Sequence, residues 1–181
     1  NCRLSLVAEP DGPHRALARI GTGSYATPEA AFESVIAGLP ERPRSAVLAV
    51  AGPLDGRRAQ LTNANWDFDG PRLAAALDFK QGLLVNDFEA LAASLAVLRP
   101  ADAETLVEGD PEPDGVKLVL GPGTGFGAAA LLTRGERGFL VPTETGHIGI
   151  GPEDPAEHRI WPALAAGLPR VTVEHLLSGD G

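Results

Sequence analysis

The order of segments along the chain predicts a layered α/β fold, and three observations carry that reading. Continuous apolar runs, Ser45–Ala51 and Leu83–Val85, stand beside helix-forming patterns, as buried strands do in a sheet covered by helices. The chain opens on two alternating segments around a turn cluster, a hairpin that makes the sheet mixed rather than all-parallel. An acidic, Pro- and Gly-rich stretch, residues 100–115, separates two such alternations and marks a change of domain.

The elements follow in order. Cys2–Ala8 alternates as a strand, Glu9–Pro13 is a turn cluster, and Arg15–Ile20 returns as a second strand. Thr27 is placed to cap a helix with Pro28 at its first position, running to about Leu39 before Pro40. Ser45–Ala51 is a buried strand ending in Gly52-Pro53, and Arg58–Leu61 a short strand leading into Thr62-Asn63-Ala64-Asn65-Trp66. Asp69-Gly70-Pro71 opens a helix through about Leu77. Strand Leu83–Val85 and helix Phe88–Leu98 come next. Beyond the acidic loop, Val116–Leu120 is a strand, Gly121–Gly127 a glycine loop, and Ala128–Thr133 and Gly138–Val141 are strands. Asp154–Ala166 and Val173–Leu177 are helical, with Pro162 interrupting the first. There is no internal repeat.

Composition bounds the function. The chain has 181 residues, room for one domain or a domain and part of another, and its 44% hydrophobic content is that of a globular protein. A net charge of −9, from 24 acidic and 15 basic residues, argues against a nucleic-acid-binding surface and suits a soluble cytoplasmic protein. No apolar run approaches a membrane span, and no signal peptide opens the chain. The single cysteine, Cys2, allows no intrachain disulfide and no thiolate cluster for zinc, and it reads as a small core residue rather than a reactive thiol. With no methionine, an abrupt start at Asn1 and a finish in Ser178-Gly179-Asp180-Gly181, the sequence is expected to be a fragment of a longer protein.

Four segments carry candidate chemistry. Leu83-Leu84-Val85-Asn86-Asp87-Phe88 places two polar side chains where a buried strand feeds a helix, the edge at which open α/β sheets bind ligands. A carboxylate there accepts a proton, binds a hydroxyl or caps the helix. Leu120-Gly121-Pro122-Gly123-Thr124-Gly125-Phe126-Gly127 offers backbone amides and the Thr124 hydroxyl to a phosphate, or is a structural turn. It is neither a Rossmann fingerprint nor a Walker loop, since a strand follows and no Gly-Lys-Ser/Thr occurs. Glu144-Thr145-Gly146-His147 brings a carboxylate and an imidazole close enough to bind vicinal hydroxyls, or forms a solvated loop. A metal site is the weaker reading of that pair, because neighbouring cysteines and a second nearby histidine are lacking. Asn63, Asn65 and Trp66 suit a sugar's hydroxyl edge and apolar face, or an Asx turn anchored by an aromatic.

Taken together, Asn86-Asp87-Phe88, the Gly121–Gly127 segment, Glu144-Thr145-Gly146-His147 and Val173-Glu174-His175-Leu176-Leu177-Ser178-Gly179 resemble, in order and spacing, the bacterial glucokinases. Ala51-Gly52-Pro53 and Thr62–Trp66 are similar to small-domain segments of that family, and the resemblance covers essentially the whole chain. It implies a ribonuclease H-like (actin-like ATPase) fold, a mixed sheet flanked by helices, with two domains around a cleft. Residues 1–97 would be a small α/β domain lacking its first strand and phosphate loop, and 98–181 the beginning of the large domain. The family's opening Asp-x-Gly-Gly-Thr-Asn loop is expected before residue 1, with Asn1 standing where its last residue would be.

The implied reaction is ATP-dependent phosphorylation of D-glucose at the 6-hydroxyl, the first step of glycolysis. Carried over by motif, Asp87 is similar to the catalytic base, and Asn86, Asp87, Glu144, His147 and Glu174 to the glucose ligands. Gly121, Gly123, Thr124 and Gly125 resemble the nucleotide-phosphate segment. Mg2+ would arrive on the ATP phosphates, with no metal cage of the protein's own. Pro122 and Thr145 depart from the family pattern without removing a functional side chain. Related repressor/kinase sugar kinases carry a cysteine-rich zinc site, for which this chain lacks the cysteines. A homodimer is expected at full length, and the 181 residues alone are expected to have no useful kinase activity. Two alternatives stand beside this reading: a kinase for another hexose, and a non-catalytic sugar-sensing regulator on the same fold.

Overall fold

The computed structural model of the chain describes residues 1–9, 12–52, 54–61, 66–110 and 112–179. Its contacts divide the chain into two units, Asn1–Asp87 and Phe88–Gly181, each with its own mixture of helix and sheet.

The first unit begins with β1 (Cys2–Val7) and β2 (His14–Ile20), paired antiparallel with a register shift between Leu4 and Ser5. Helix α1 (Pro28–Ile36) is capped as its sequence predicts: Thr27 Oγ1 accepts the Ala30 amide at 3.2 Å. It stops short of Leu39, where the Leu39 amide turns back onto the Ile36 carbonyl at 3.0 Å. Then come β3 (Ser45–Val50), β4 (Arg58–Gln60), β5 (Asp67–Asp69), α2 (Gly70–Ala76) and β6 (Gln81–Asn86). Strands β3 and β6 run parallel, from Ser45 opposite Gln81 to Val50 opposite Asn86. Strands β4 and β5 form a small antiparallel pair, and β5 is an element that the sequence did not announce. Its Asp-Phe-Asp has no apolar run to read, and only Phe68 gives it a core residue.

The core of this unit gathers Phe32 and Ile36 of α1, Leu48 and Val50 of β3, Leu84 of β6, Leu73 of α2 and Leu77 after it. Phe32, Trp66 and Phe68 meet at its centre, with centroids 5.9–6.5 Å apart and two of the three contacts edge-on. Trp66 is only 2% exposed and donates its indole N–H to the Tyr25 carbonyl at 3.0 Å. Of the two readings open for it, the core anchor is the one observed; residues 62–65, the amide half of that motif, lie outside the described residues. Burial also pushes the Cys2 thiol up, against the thiolate that reactivity requires. One expectation is corrected. Strand Ser45–Ala51 was expected to be buried on both faces, but Val47 is 69% exposed and Leu83 45%, while Leu48 and Leu84 are buried. The pair β3–β6 thus packs one face on the core and leaves the other uncovered among the described residues.

Helix α3 (Asp87–Ser94) begins where the units meet in sequence and ends before the expected Leu98. The amides of Leu95, Ala96 and Val97 bond carbonyls three residues back, a tightening that closes the helix ahead of Arg99-Pro100. The second unit then builds one antiparallel sheet from β7 (Lys117–Pro122), β8 (Phe126–Arg134) and β9 (Arg137–Thr143), with β8 central. Its most buried run is Ala128-Ala129-Ala130-Leu131. Helix α4 (Pro155–Leu164) is capped by Asp154, whose carboxylate accepts the Ala156 and Glu157 amides at 2.7 and 2.8 Å. Pro162 does not interrupt it: α4 continues to Leu164 and buries no residue, and the Ala165 amide on Trp161 O (2.8 Å) closes its last turn. Helix α5 (Val173–Leu177) has the predicted bounds. Among the described residues no helix is long and apolar enough to cross a membrane.

Candidate active site

Asn86 closes β6 and Asp87 opens α3, so the two polar residues stand at the carboxyl end of a parallel strand, where the chain turns from sheet to helix. Both are partly buried. Asn86 Nδ2 donates to the Gly52 carbonyl at 3.1 Å, tying the end of β6 to the turn that leaves β3. Gly52 takes φ 112°, a conformation that suits glycine.

The glycine segment differs from its prediction. Gly121 and Gly127 are not loop residues: they face each other across β7 and β8, as do Pro122 and Phe126. The turn is the tip Gly123–Gly125, closed by the Gly123 amide on Gly125 O at 2.7 Å. The two paired glycines have a packing reason. A Cβ on Gly121 would stand 2.7 Å from Phe88 Cζ, and one on Gly127 would overlap the same ring. Phe88, the second residue of α3, thus lies across the glycine pair, and the first turn of the helix is seated on the hairpin. At the tip, no described hydrogen bond uses the amides of Thr124 and Gly125. Thr124 is exposed, so these donors and its hydroxyl are open to an anion.

The Glu144–His147 segment folds as a short 3-10 turn, Thr145–His147. Glu144 Oε2 and His147 Nε2 come within 3.8 Å, with the two side chains 78% and 63% exposed. Their exposure leaves both side chains accessible to a polar ligand. Thr145 is held by Thr143, hydroxyl to hydroxyl at 2.8 Å, and the Thr143 hydroxyl also donates to the Ala128 carbonyl at 2.8 Å. Arg170 Nη2 donates to His147 O at 3.1 Å. Neither Thr143 nor Arg170 was flagged by sequence, since each acts through a backbone or a neighbour and belongs to no motif.

Helix α5 joins these parts. The Glu174 carboxylate accepts the Phe126 amide at 2.9 Å, and the Gly179 amide donates to the Gly123 carbonyl at 2.7 Å. Gly146 is buried against the Phe126 carbonyl, which a Cβ would overlap, and that Cβ would lie 3.4 Å from Glu174 Oε2. The 3-10 turn is bound to the same helix through Val173 N–H on Ile148 O at 3.1 Å. The second unit thus brings Gly123, Thr124, Gly125, Glu144, His147 and Glu174 to one junction of hairpin tip, turn and helix. Asn86 and Asp87 form a separate corner on the first unit. Among the described residues, no group of three or more His, Cys, Asp or Glu is placed to hold a metal ion.

The chain matches known proteins along its whole length. The glucokinases of Sinorhizobium medicae and Rhizobium meliloti are each 38% identical to it over 182 residues, an alignment that takes in 100% of this chain and 54% of theirs. The chain therefore spans about half the length of the curated relatives it matches. A crystal structure of glucokinase from an Antarctic psychrotroph superposes with a TM-score of 0.89 at 27% identity, over 99% of this chain and 57% of that one. Glucokinase from Balamuthia mandrillaris, solved in complex with glucose, shares the fold at a TM-score of 0.67 and 23% identity, over 99% of this chain and 57% of that one. The family model described as glucokinase covers residues 1–181, and the chain belongs to the glucokinase family.

Proposed function

We propose that this chain supplies the sugar site and one phosphate-facing hairpin of an ATP-dependent glucokinase, which phosphorylates D-glucose at its 6-hydroxyl to give glucose 6-phosphate. The observation that carries the proposal is the junction in the second unit. A hairpin tip with open amides and a hydroxyl stands beside a turn that offers Glu144 and His147, and Glu174 joins the two. Donors suit phosphate oxygens, and a carboxylate with an imidazole suits sugar hydroxyls. Family membership supports the same assignment.

In this reading Asp87 is the base on the 6-hydroxyl. Phosphoryl transfer has a loose transition state, so the carboxylate acts chiefly by aligning the hydroxyl and taking its proton late. Asn86, Glu144, His147 and Glu174 hold the remaining hydroxyls, and an analogue that leaves such groups unpaired is rejected. Gly123, Thr124 and Gly125 take phosphate oxygens of ATP through amides and the Thr124 hydroxyl; Gly121 supports them by admitting Phe88. Mg2+, bound to the ATP phosphates, would supply charge neutralisation. The finer fold reading belongs to the same proposal: a ribonuclease H-like (actin-like ATPase) fold with domains 1–97 and 98–181 around a cleft. The mixed α/β architecture and the division into two units support it, although Phe88 of α3 packs on the second unit. A cytoplasmic homodimer completes the reading.

The test is Asp87→Asn in a protein of the relatives' full length. Turnover should fall by about 10²–10⁴-fold while sugar affinity changes far less. Unchanged turnover would remove Asp87 from the base role. Lack of glucose-dependent ATP consumption by the wild type would remove the kinase reading itself.

A further inference from the structure

We infer that Glu174 is a positioning residue for the phosphate-facing hairpin as well as a sugar ligand, so that one carboxylate couples the sugar side of the site to the nucleotide side. The inference rests on the proposed kinase reading for its ligands, but its geometry stands by itself. Glu174 lies in the first turn of α5, after a capping box in which Thr172 and His175 satisfy each other. That box fixes where the helix starts, and with it where the carboxylate is delivered.

The carboxylate enters the slot beside the hairpin tip. A Cβ on Gly125 would stand 2.5 Å from Glu174 Oε2 and 3.2 Å from its Cδ, so any side chain there would displace the carboxylate from this position. Within that space Oε2 takes the Phe126 amide at 2.9 Å, a charge-assisted bond that is stronger than a neutral one. Just past the end of the helix, the Gly179 amide donates to the Gly123 carbonyl of the tip. Residues 174–179, α5 and the two residues after it, are therefore a strap on the hairpin, fastened at Glu174 and at Gly179. The strap uses the Phe126 amide and the Gly123 amide is spent within the tip, so the amides of Thr124 and Gly125 are the ones there with no described bond.

A carboxylate has two oxygens and about four acceptor sites, so the bond to Phe126 leaves capacity for a hydroxyl. A sugar hydroxyl donating to this carboxylate would load a group that already sets the hairpin. Removing the carboxylate would free the Phe126 amide and loosen the strap at one end. Glutamine keeps an acceptor for that amide, now a neutral one, and turns the second position from acceptor to donor.

The experiment compares the wild type with Glu174→Ala and Glu174→Gln at full length, measuring KM for ATP, KM for glucose, kcat, and hydrogen exchange of the peptide containing residues 121–127. Glu174→Ala should raise both KM values by about 10-fold or more and speed exchange in the hairpin. Glu174→Gln should raise KM for glucose while leaving KM for ATP within about 2-fold and exchange much closer to the wild-type rate than in Glu174→Ala. An unchanged KM for ATP in Glu174→Ala would reduce Glu174 to a sugar ligand alone. Equal rises in both variants would show that the Phe126 bond is not the link. Should the wild type consume no ATP with glucose, the kinase reading fails and exchange alone decides: identical rates in all three proteins would overturn the strap.

Discussion

The centre of the first unit is three aromatic rings, Phe32, Trp66 and Phe68, each less than a tenth exposed, with aliphatic residues of two helices and four strands around them. The most buried strand of the second unit is a run of alanines, and the region beside it is built from glycines at van der Waals limits against a ring, a carbonyl and a carboxylate. Rings fill volume and hold elements apart at a fixed distance. Small residues let backbones approach until amides and carboxylates meet directly, which is what the placement of hydroxyl and phosphate ligands demands. The first unit is organised chiefly by packing, with one close backbone approach where Gly70 of α2 meets Gly82 of β6, and the second by several such approaches together with hydrogen bonds to the backbone.

The largest effect should come from emptying the aromatic centre. Trp66→Ala removes a buried ring and its bond to Tyr25 O, and should destabilise the protein by about 3–5 kcal/mol, read as the shift in the urea unfolding midpoint by circular dichroism. A loss below about 1 kcal/mol would mean that the ring is not filling the core.

The reverse operation, adding an atom, breaks the second unit. Gly127 does not have the positive φ that excludes other residues, and the nearest obstacle an alanine meets there is the Phe88 ring. Gly127→Ala should cost about 1–3 kcal/mol by overpacking. In a Phe88→Ala background the same change should cost less than half as much, since the ring is gone. Equal costs in both backgrounds would show that Phe88 is not what requires glycine there.

These two positions also show what the sequence made legible. Helix starts were readable because their signals are local: Thr27, Asp69 and Asp154 each cap the helix that follows, and the bounds of α5 were read correctly. The Asn86-Asp87 corner was readable for the same reason, a strand run ending in polar residues before a helix. The glycine segment was seen but misread as one loop, because Gly121 and Gly127 answer to a ring far away in sequence rather than to a turn. The Glu174–Phe126 bond spans 48 residues and uses a backbone donor, so no motif announces it. Apolar runs likewise reported a strand at Val47 and Leu83 without reporting whether both its faces are covered.

The smallest expected effect concerns charge, and it sharpens the view of the first unit as one held by packing. Asp69 caps α2: its carboxylate accepts the Arg72 amide at 3.0 Å and pairs with Arg58 Nε at 2.9 Å. The Arg72 amide first, and the Arg58 guanidinium second, hold its carboxyl below the usual carboxylate range. A lowered folded-state pKa stabilises the fold fully above the unfolded value of about 3.9, and that stabilisation is lost as pH falls through the lower folded value. Asp69→Asn keeps a capping oxygen but removes the charge, so it mimics the protonated state. The variant should therefore be less stable than the wild type at neutral pH, and the gap should close as pH falls below about 4. Urea midpoints of both proteins between about pH 2 and pH 7 measure it. A gap that stayed constant over that range would mean that Asp69 contributes only its capping geometry and that its charge contributes nothing beside the aromatic core.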